Sequence, residues 1–331
     1  MFLAGMKPME QSIIERSGYE MVPVPSMGLP RVLSPKLAVF AWKLAAGISV
    51  SRRHLKRFQP DVVIATGGYV SAPTLLAARM MHIPSVIQEQ NSYPGIVSRK
   101  LGRFADAAFL GFAEAAQWFG KTTETIVTGN PVRGGIGSVS RDDASRQFSL
   151  EPTRKTVLVC GGSQGARAIN GAVAGMVERL AASRIQVIWQ TGAADYETYR
   201  RFDGYGDGSV RVTAFIENMI GTYAAADVVV GRAGAMTIAE IAVAGLPSVL
   251  IPLPHSAGNH QLHNARALEN TGAAVVIEES ALDAETLERL VRTVIEDNTV
   301  AEAMKAAAAN FAKPAAVVRI ADELNSRYGI L

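Results

Sequence analysis

Short apolar runs punctuate this chain from end to end, and a stretch of helical pattern separates most neighbouring pairs. The runs lie at 2–4, 20–24, 61–65, 85–88, 107–110 and 125–127, and then at 156–160, 186–190, 210–213, 228–230, 248–251 and 274–277. Most are continuously apolar rather than alternating, the mark of strands covered on both faces by crossover helices. The rhythm therefore predicts an α/β chain built on parallel sheets.

The rhythm lapses once, across "GNPVRGGIGSVSRDDASRQFSLEPTRK", which is rich in Gly, Ser and charge. Two Rossmann-like domains are expected around it, at 1–134 and 153–312, joined by a linker at 135–152. A last helix within 313–331, at about 314–328, could pack back on the first domain. With 331 residues, 48% of them hydrophobic and 19% charged, each half can bury a core of its own. Ligands of such sheets bind beyond the carboxyl ends of the strands, so a cleft between facing domains is the expected site.

Cys160 is the single cysteine. It rules out an internal disulfide framework and, at the end of an apolar strand, reads as a buried structural thiol. The net charge of +3 is a mild bias toward anionic partners and does not imply nucleic acid. The longer charge-free runs, such as 241–254, carry Pro and Gly and read as core rather than as a membrane span. A cytoplasmic protein is expected. The opening "MFLAG" reads as the second half of a buried strand, which suggests that an upstream piece is missing.

"VLVCGGSQGARAIN" runs strand, glycine turn, helix, with the helix expected to begin near Gln164 or Gly165. Gly161, Gly162 and Gly165 are either a close-packed turn or a loop that brings a phosphate to backbone N–H groups at a helix start, with the Ser163 hydroxyl as a further donor. It matches neither a Walker A loop nor a G-x-G-x-x-G fingerprint. "VVVGRAGAMTIAE" repeats the pattern with Gly231, Gly234 and Ala235 at the turn. Thr237 and Glu240 follow on one helical face. Glu240 is either a helix-dipole partner or an acceptor for a ribose diol. In the first half, "IATGGYVSAP" places Gly67, Gly68 and Tyr69 after a strand, and "VIQEQNSYPG" ends another strand on Glu89, Gln90 and Asn91.

"ATGGYVSAP", "QEQNSYPG", "TGNPVR", "CGGSQGAR", "FIENM", "GRAGAMTIAE" and "HQLHNA" occur in this order and span nearly the whole chain. Together they resemble the MurG family, the bacterial glycosyltransferases that add N-acetylglucosamine to lipid I. The resemblance implies a two-domain GT-B fold and inverting transfer from UDP-N-acetylglucosamine to a lipid-diphosphate-linked muramoyl peptide, with no cofactor and no metal. It further implies a peripheral place on the cytoplasmic face of the bacterial inner membrane. Carried over by motif, Ser163 and the helix start at Ala235, Met236 and Thr237 would meet the diphosphate. Glu240 would hold the ribose hydroxyls, the Ile216 backbone would read the uracil edge, and Arg133 would lie near the nucleotide. Gln261 and Asn264 would grip the sugar hydroxyls and Asn91 the acetamido group, with Gly67, Gly68 and Tyr69 on the acceptor side.

The family also carries a Gly-Gly-Thr-Gly-Gly-His loop after its first strand, whose histidine is a candidate base. No such loop occurs in this sequence, so the catalytic base is unassigned, with Glu89 as a weak substitute, and a poor catalyst that keeps its donor site is expected. Gln88 stands where the family often has His, and Ala72 where it often has Gly. Two rivals remain: a GT-B enzyme using another lipid acceptor, and a truncated, inactive UDP-sugar-binding protein.

The stretch "PKLAVFAWKLAAGISVSRRHLKRFQP" sets Leu37, Phe40, Ala41, Leu44 and Ile48 on one helical stripe, with Trp42 nearby. Lys36, Lys43, Arg52, Arg53, Lys56 and Arg57 surround it. The stripe is either core packing or a face drawn to an anionic membrane surface. His54 and His82 read as surface or packing residues, while His255, His260 and His263 share a loop with Gln261. Their spacing does not suit zinc.

Overall fold

A computed structural model describes residues 1–6, 8–30 and 34–330. Among the described residues twelve strands form at the apolar runs: β1 (Phe2–Ala4), β2 (Met21–Pro23), β3 (Val63–Ala65), β4 (Ser85–Glu89), β5 (Ala107–Leu110), β6 (Glu124–Val127), β7 (Thr156–Cys160), β8 (Gln186–Gln190), β9 (Val210–Thr213), β10 (Val228–Gly231), β11 (Ser248–Leu250) and β12 (Ala274–Val276). Every strand pair is parallel. The chain divides into two compact units, residues 1–128 with 318–331, and residues 129–317.

The second unit holds a six-stranded sheet in the order β12-β11-β10-β7-β8-β9. The chain winds outward one way from β7 and the other way from β10, so these neighbours mark the point where the winding reverses. That is where an open α/β sheet leaves a crevice beyond its carboxyl ends. Fully buried Val157, Val159, Val187, Trp189, Val228 and Val230 line one face, against Ile169, Val173, Met176 and Leu180 of the following helices. These strands read as unbroken apolar runs because both faces are covered.

The first unit holds two separate sheets, β1-β2 and β3-β4-β5-β6. Phe2 of β1 is 46% exposed; β3 buries Val63 and Ala65 but leaves Ile64 44% exposed, so neither strand is covered on both faces as its apolar sequence suggests. Val86, Ala107 and Phe109 pack against Leu324, with Ile320 and Tyr328 at the margin, all three from the helix Ala316–Tyr328. Arg327 donates two hydrogen bonds to Glu124, at 2.9 and 2.8 Å, tying that helix to β6.

Residues 135–152, read above as a linker, belong to the second unit and contain the helix Arg141–Gln147. The Ser140 hydroxyl caps it by accepting from the Asp143 N–H, and Arg141 reaches Asp227 at 2.7 Å. A short charged segment without apolar period carries no helix signal except that cap.

Candidate active site

In the second unit, both glycine turns emerge at the reversal point. After β7 the backbone turns through Gly162 (φ +89°) and Gly165 (φ +75°), and the helix begins only at Arg167. That start is later than the sequence suggests, because two left-handed residues cannot belong to a right-handed helix. The turn is correspondingly wider, and Ser163 at its tip is exposed. At the end of β10, Gly231 passes so close to the Cys160 carbonyl that a Cβ would approach it to 2.6 Å. The helix Ala235–Val243 then starts behind Gly234 without a side-chain cap. Its first N–H groups, orphaned by the geometry of any helix start, give this end a positive field. Ala235 is buried, Met236 exposed and Thr237 half-buried.

Glu240 lies one turn further in, 7% exposed. One carboxylate oxygen accepts from Arg133 Nε at 2.7 Å and the other from the Tyr223 hydroxyl at 3.0 Å. Arg133 itself stays half exposed. Burial, reinforced by the Glu240 charge, pushes the Tyr223 hydroxyl far above its ordinary range, so it remains a proton donor. Burial also pushes the Cys160 thiol up; the Gly162 N–H opposes this and Glu240 adds to it. Arg133, Glu240, Tyr223 and Cys160 therefore meet beside the two turns. Nothing in the sequence sets Tyr223 apart from an ordinary helix residue.

Gln261 stands at the start of the helix His260–Glu269 and accepts from the Leu253 N–H at 2.9 Å. Asn264, one turn on, is fully buried and donates to the Ala233 carbonyl at 3.4 Å. Its place is behind the second turn, with Gln261 nearer the surface. His260 lies within 2.9 Å of the Ala257 carbonyl. Arg232, half-buried just after β10, reaches the Ile251 and Pro252 carbonyls at 3.2 Å and pairs with Glu279. It pins the loop that leads to Gln261. Among the described residues no three His, Cys, Asp or Glu side chains are grouped as a metal would require.

The first unit places Gly67 (φ +92°) and Gly68 (φ +75°) after β3, followed by Tyr69, 52% exposed. At the end of β4, Glu89 is 3% exposed, and one of its oxygens accepts from both the backbone and the side-chain nitrogen of Asn91, at 3.1 and 3.2 Å. Glu89 thus orients Asn91. The helix Lys36–Phe58 buries only Gly47, Ser51 and Leu55. Its amino-terminal half is open: Trp42 is 68% and Val39 47% exposed. Phe40 and Leu44 line an apolar cavity of about 160 Å³ with Leu29, Tyr69 and Ile96. Of the stripe itself, Leu37, Phe40, Leu44 and Ile48 are half-buried and Ala41 is exposed, and Ile48 packs against the buried Leu55, Val63, Ala77 and Ala78. No helix of the described residues is long and apolar enough to cross a membrane.

Comparison with known proteins matches residues 2–110 to the glycosyltransferase family 28 N-terminal domain and residues 156–320 to the family 28 C-terminal domain. A UDP-N-acetylglucosamine–N-acetylmuramyl-(pentapeptide) pyrophosphoryl-undecaprenol N-acetylglucosamine transferase of Desulfitobacterium hafniense is 39% identical over 97% of this chain and 88% of its own. The protein of the same description from Moorella thermoacetica is 36% identical over the same shares. The crystal structure of Acinetobacter baumannii MurG, 26% identical, superposes with a TM-score of 0.78 over 98% of this chain and 90% of that one. A Staphylococcus aureus MnaA–UDP structure, 15% identical with a TM-score of 0.67 over 100% of this chain and 97% of that one, shares the fold.

Proposed function

Because the chain belongs to glycosyltransferase family 28 and has its GT-B fold, we propose that it moves N-acetylglucosamine from UDP-N-acetylglucosamine to the 4-hydroxyl of a lipid-diphosphate-linked N-acetylmuramoyl peptide. The relatives at 39% and 36% identity carry the name of that reaction. The observation that carries the reading is the pair of glycine turns on neighbouring strands at the reversal point, with the buried Glu240 one turn into the helix that follows the second. Backbone N–H groups and two helix starts suit a diphosphate, and a buried carboxylate beside them suits a ribose diol.

In this reading Ser163 and the start of the helix Ala235–Val243 hold the diphosphate, and Arg133 stands near it. Glu240 takes the ribose hydroxyls, Ile216 the uracil, and Gln261, backed by Asn264, the sugar. Asn91 takes the acetamido group, and Gly67, Gly68 and Tyr69 belong to the acceptor side. The acceptor oxygen attacks the anomeric carbon opposite the departing UDP, inverting it. Charge accumulates on the leaving diphosphate, where the helix starts and N–H groups stabilise it without a cation. The acceptor proton needs a base. Glu89 is buried and occupied by Asn91, which suits it to positioning more than to proton transfer.

A lipid-linked acceptor would hold the reaction at a membrane, and the proposal extends to a peripheral position on the cytoplasmic face of the bacterial inner membrane. Supporting it, the helix Lys36–Phe58 presents Trp42 and Val39 to solvent among Lys36, Lys43, Arg52 and Arg53. Such a face binds an anionic surface through combined apolar and electrostatic attraction. Transfer of labelled N-acetylglucosamine to a lipid I analogue, run beside a glycolipid acceptor lacking the muramoyl peptide, tests the reading. Product with the first alone is expected, and product with the second alone would assign a different acceptor.

A further inference from the structure

The glycine turn after β7 and the loop after β9 are separate in sequence, yet one side chain joins them. Gln190, the last residue of β8, is 2% exposed. Its Nε2 donates to the Gly162 carbonyl at 2.9 Å, and its Oε1 accepts from the Ile216 N–H at 2.8 Å. The Gly162 carbonyl also accepts from the Gly165 N–H at 2.9 Å, so Gln190 grips the turn where it closes on itself. The two residues after Gln190 continue the joint. Thr191 N–H donates to Thr213 and Gly192 N–H to Ala214, while a Cβ on Gly192 would come within 2.5 Å of the Gln164 carbonyl.

We propose that Gln190 is a positioning residue that couples recognition of the nucleobase to the grip on the diphosphate. This rests on the reading that the second unit binds a uridine diphosphate sugar. A neutral primary amide donates from its nitrogen to one loop and accepts at its oxygen from the other, with the two atoms at a fixed spacing; an ionised carboxylate can only accept. With its N–H committed to Gln190, the Ile216 peptide has its carbonyl to offer a base. Uracil presents N3–H to such a carbonyl, whereas cytosine presents a lone pair and is repelled. Gln190 therefore fixes the height of the base-reading carbonyl relative to Gly162 and Ser163, and a nucleotide must satisfy both loops at one spacing.

The test is calorimetry of the full chain with UDP and with CDP. Gln190→Met removes both bonds at nearly constant volume; UDP should bind about tenfold more weakly or worse, and the preference for UDP over CDP should shrink. Gln190→Glu keeps the acceptor for Ile216 but sets a carboxylate against the Gly162 carbonyl and the incoming diphosphate. It should weaken UDP while leaving the UDP-to-CDP ratio near that of the unaltered protein. A side chain that merely filled space would move both variants alike. Unchanged affinity and preference in Gln190→Met, or an equal loss of preference in both variants, would overturn the proposal. If Gln190→Met does not fold, Gln190→Glu alone decides: weakened UDP with its preference kept supports the coupling, and any other pattern overturns it. Failure of the unaltered protein to bind UDP would instead overturn the donor-site reading, and this proposal with it.

Discussion

A methyl group added at Gly165 would be driven into the Thr191 carbonyl at a backbone φ of +75°, whereas one at Gly162, at φ +89°, meets nothing within 4 Å. The left-handed conformation alone costs an ordinary residue about 1–2 kcal/mol. Gly162→Ala should therefore lower stability by about that much, and Gly165→Ala by roughly 3 kcal/mol or more, since backbone must move as well. Urea unfolding of both variants checks the order, and equal losses would mean that the turn is looser than described. Glu240→Ala should weaken UDP by about 1–3 kcal/mol, the usual loss for a hydrogen bond to a charged group. It also strands the buried Tyr223 hydroxyl, so binding must be separated from damage to the site. Comparing UDP with its 2′-deoxy analogue does so: an equal loss for both would remove Glu240 from that hydroxyl. Tyr223 has its pKa raised, so its contribution is complete below the unfolded value and is lost only as pH rises through the folded one. The Tyr223–Glu240 bond should thus leave UDP affinity flat across the neutral range, which titration at several pH values would reveal.

At the scale of elements, the apolar runs located all twelve strands to within about two residues, because a buried parallel strand must be apolar on both faces. What the sequence concealed has physical reasons. The helix after Gly165 starts late because positive φ is invisible in the residue names beyond the glycines themselves. The helix Arg141–Gln147 has no apolar face to betray it, and only the Ser140–Asp143 spacing marks its cap. Gln190 ends a strand like any other, and the role inferred for it exists only in three dimensions. Motif resemblance singled out Glu240 and Arg133, but not that they pair with each other. The two sheets of the first unit leave β1 and β3 partly exposed, with few strands to lock them. Backbone amides of β1, β2 and β3 should exchange hydrogen well before those of β7, β8 and β10, whose neighbours are fully buried. Similar protection throughout would contradict this. The Arg327 hydrogen bonds and charge hold Glu124 below its ordinary pKa. The stabilisation from that pair is present above the unfolded carboxylate value and fades as pH falls through the lowered one, so the helix Ala316–Tyr328 should loosen in acid.

For the whole molecule, both halves match family 28, and the second carries the groups suited to the donor. In the proposed mechanism leaving-group charge is stabilised by N–H groups and helix starts, so turnover should survive a chelator; loss of activity in EDTA with recovery on adding Mg²⁺ would refute that mechanism. The central claim is transfer of the sugar, and its most direct measurement follows labelled N-acetylglucosamine from UDP-N-acetylglucosamine onto a lipid I analogue while UDP release is counted. Lipid-borne product with the inverted anomeric configuration and one UDP per sugar, lost in Ser163→Ala combined with Glu240→Ala, is the predicted result. UDP-N-acetylglucosamine that binds but yields no labelled lipid, or release of free sugar alone, would contradict it.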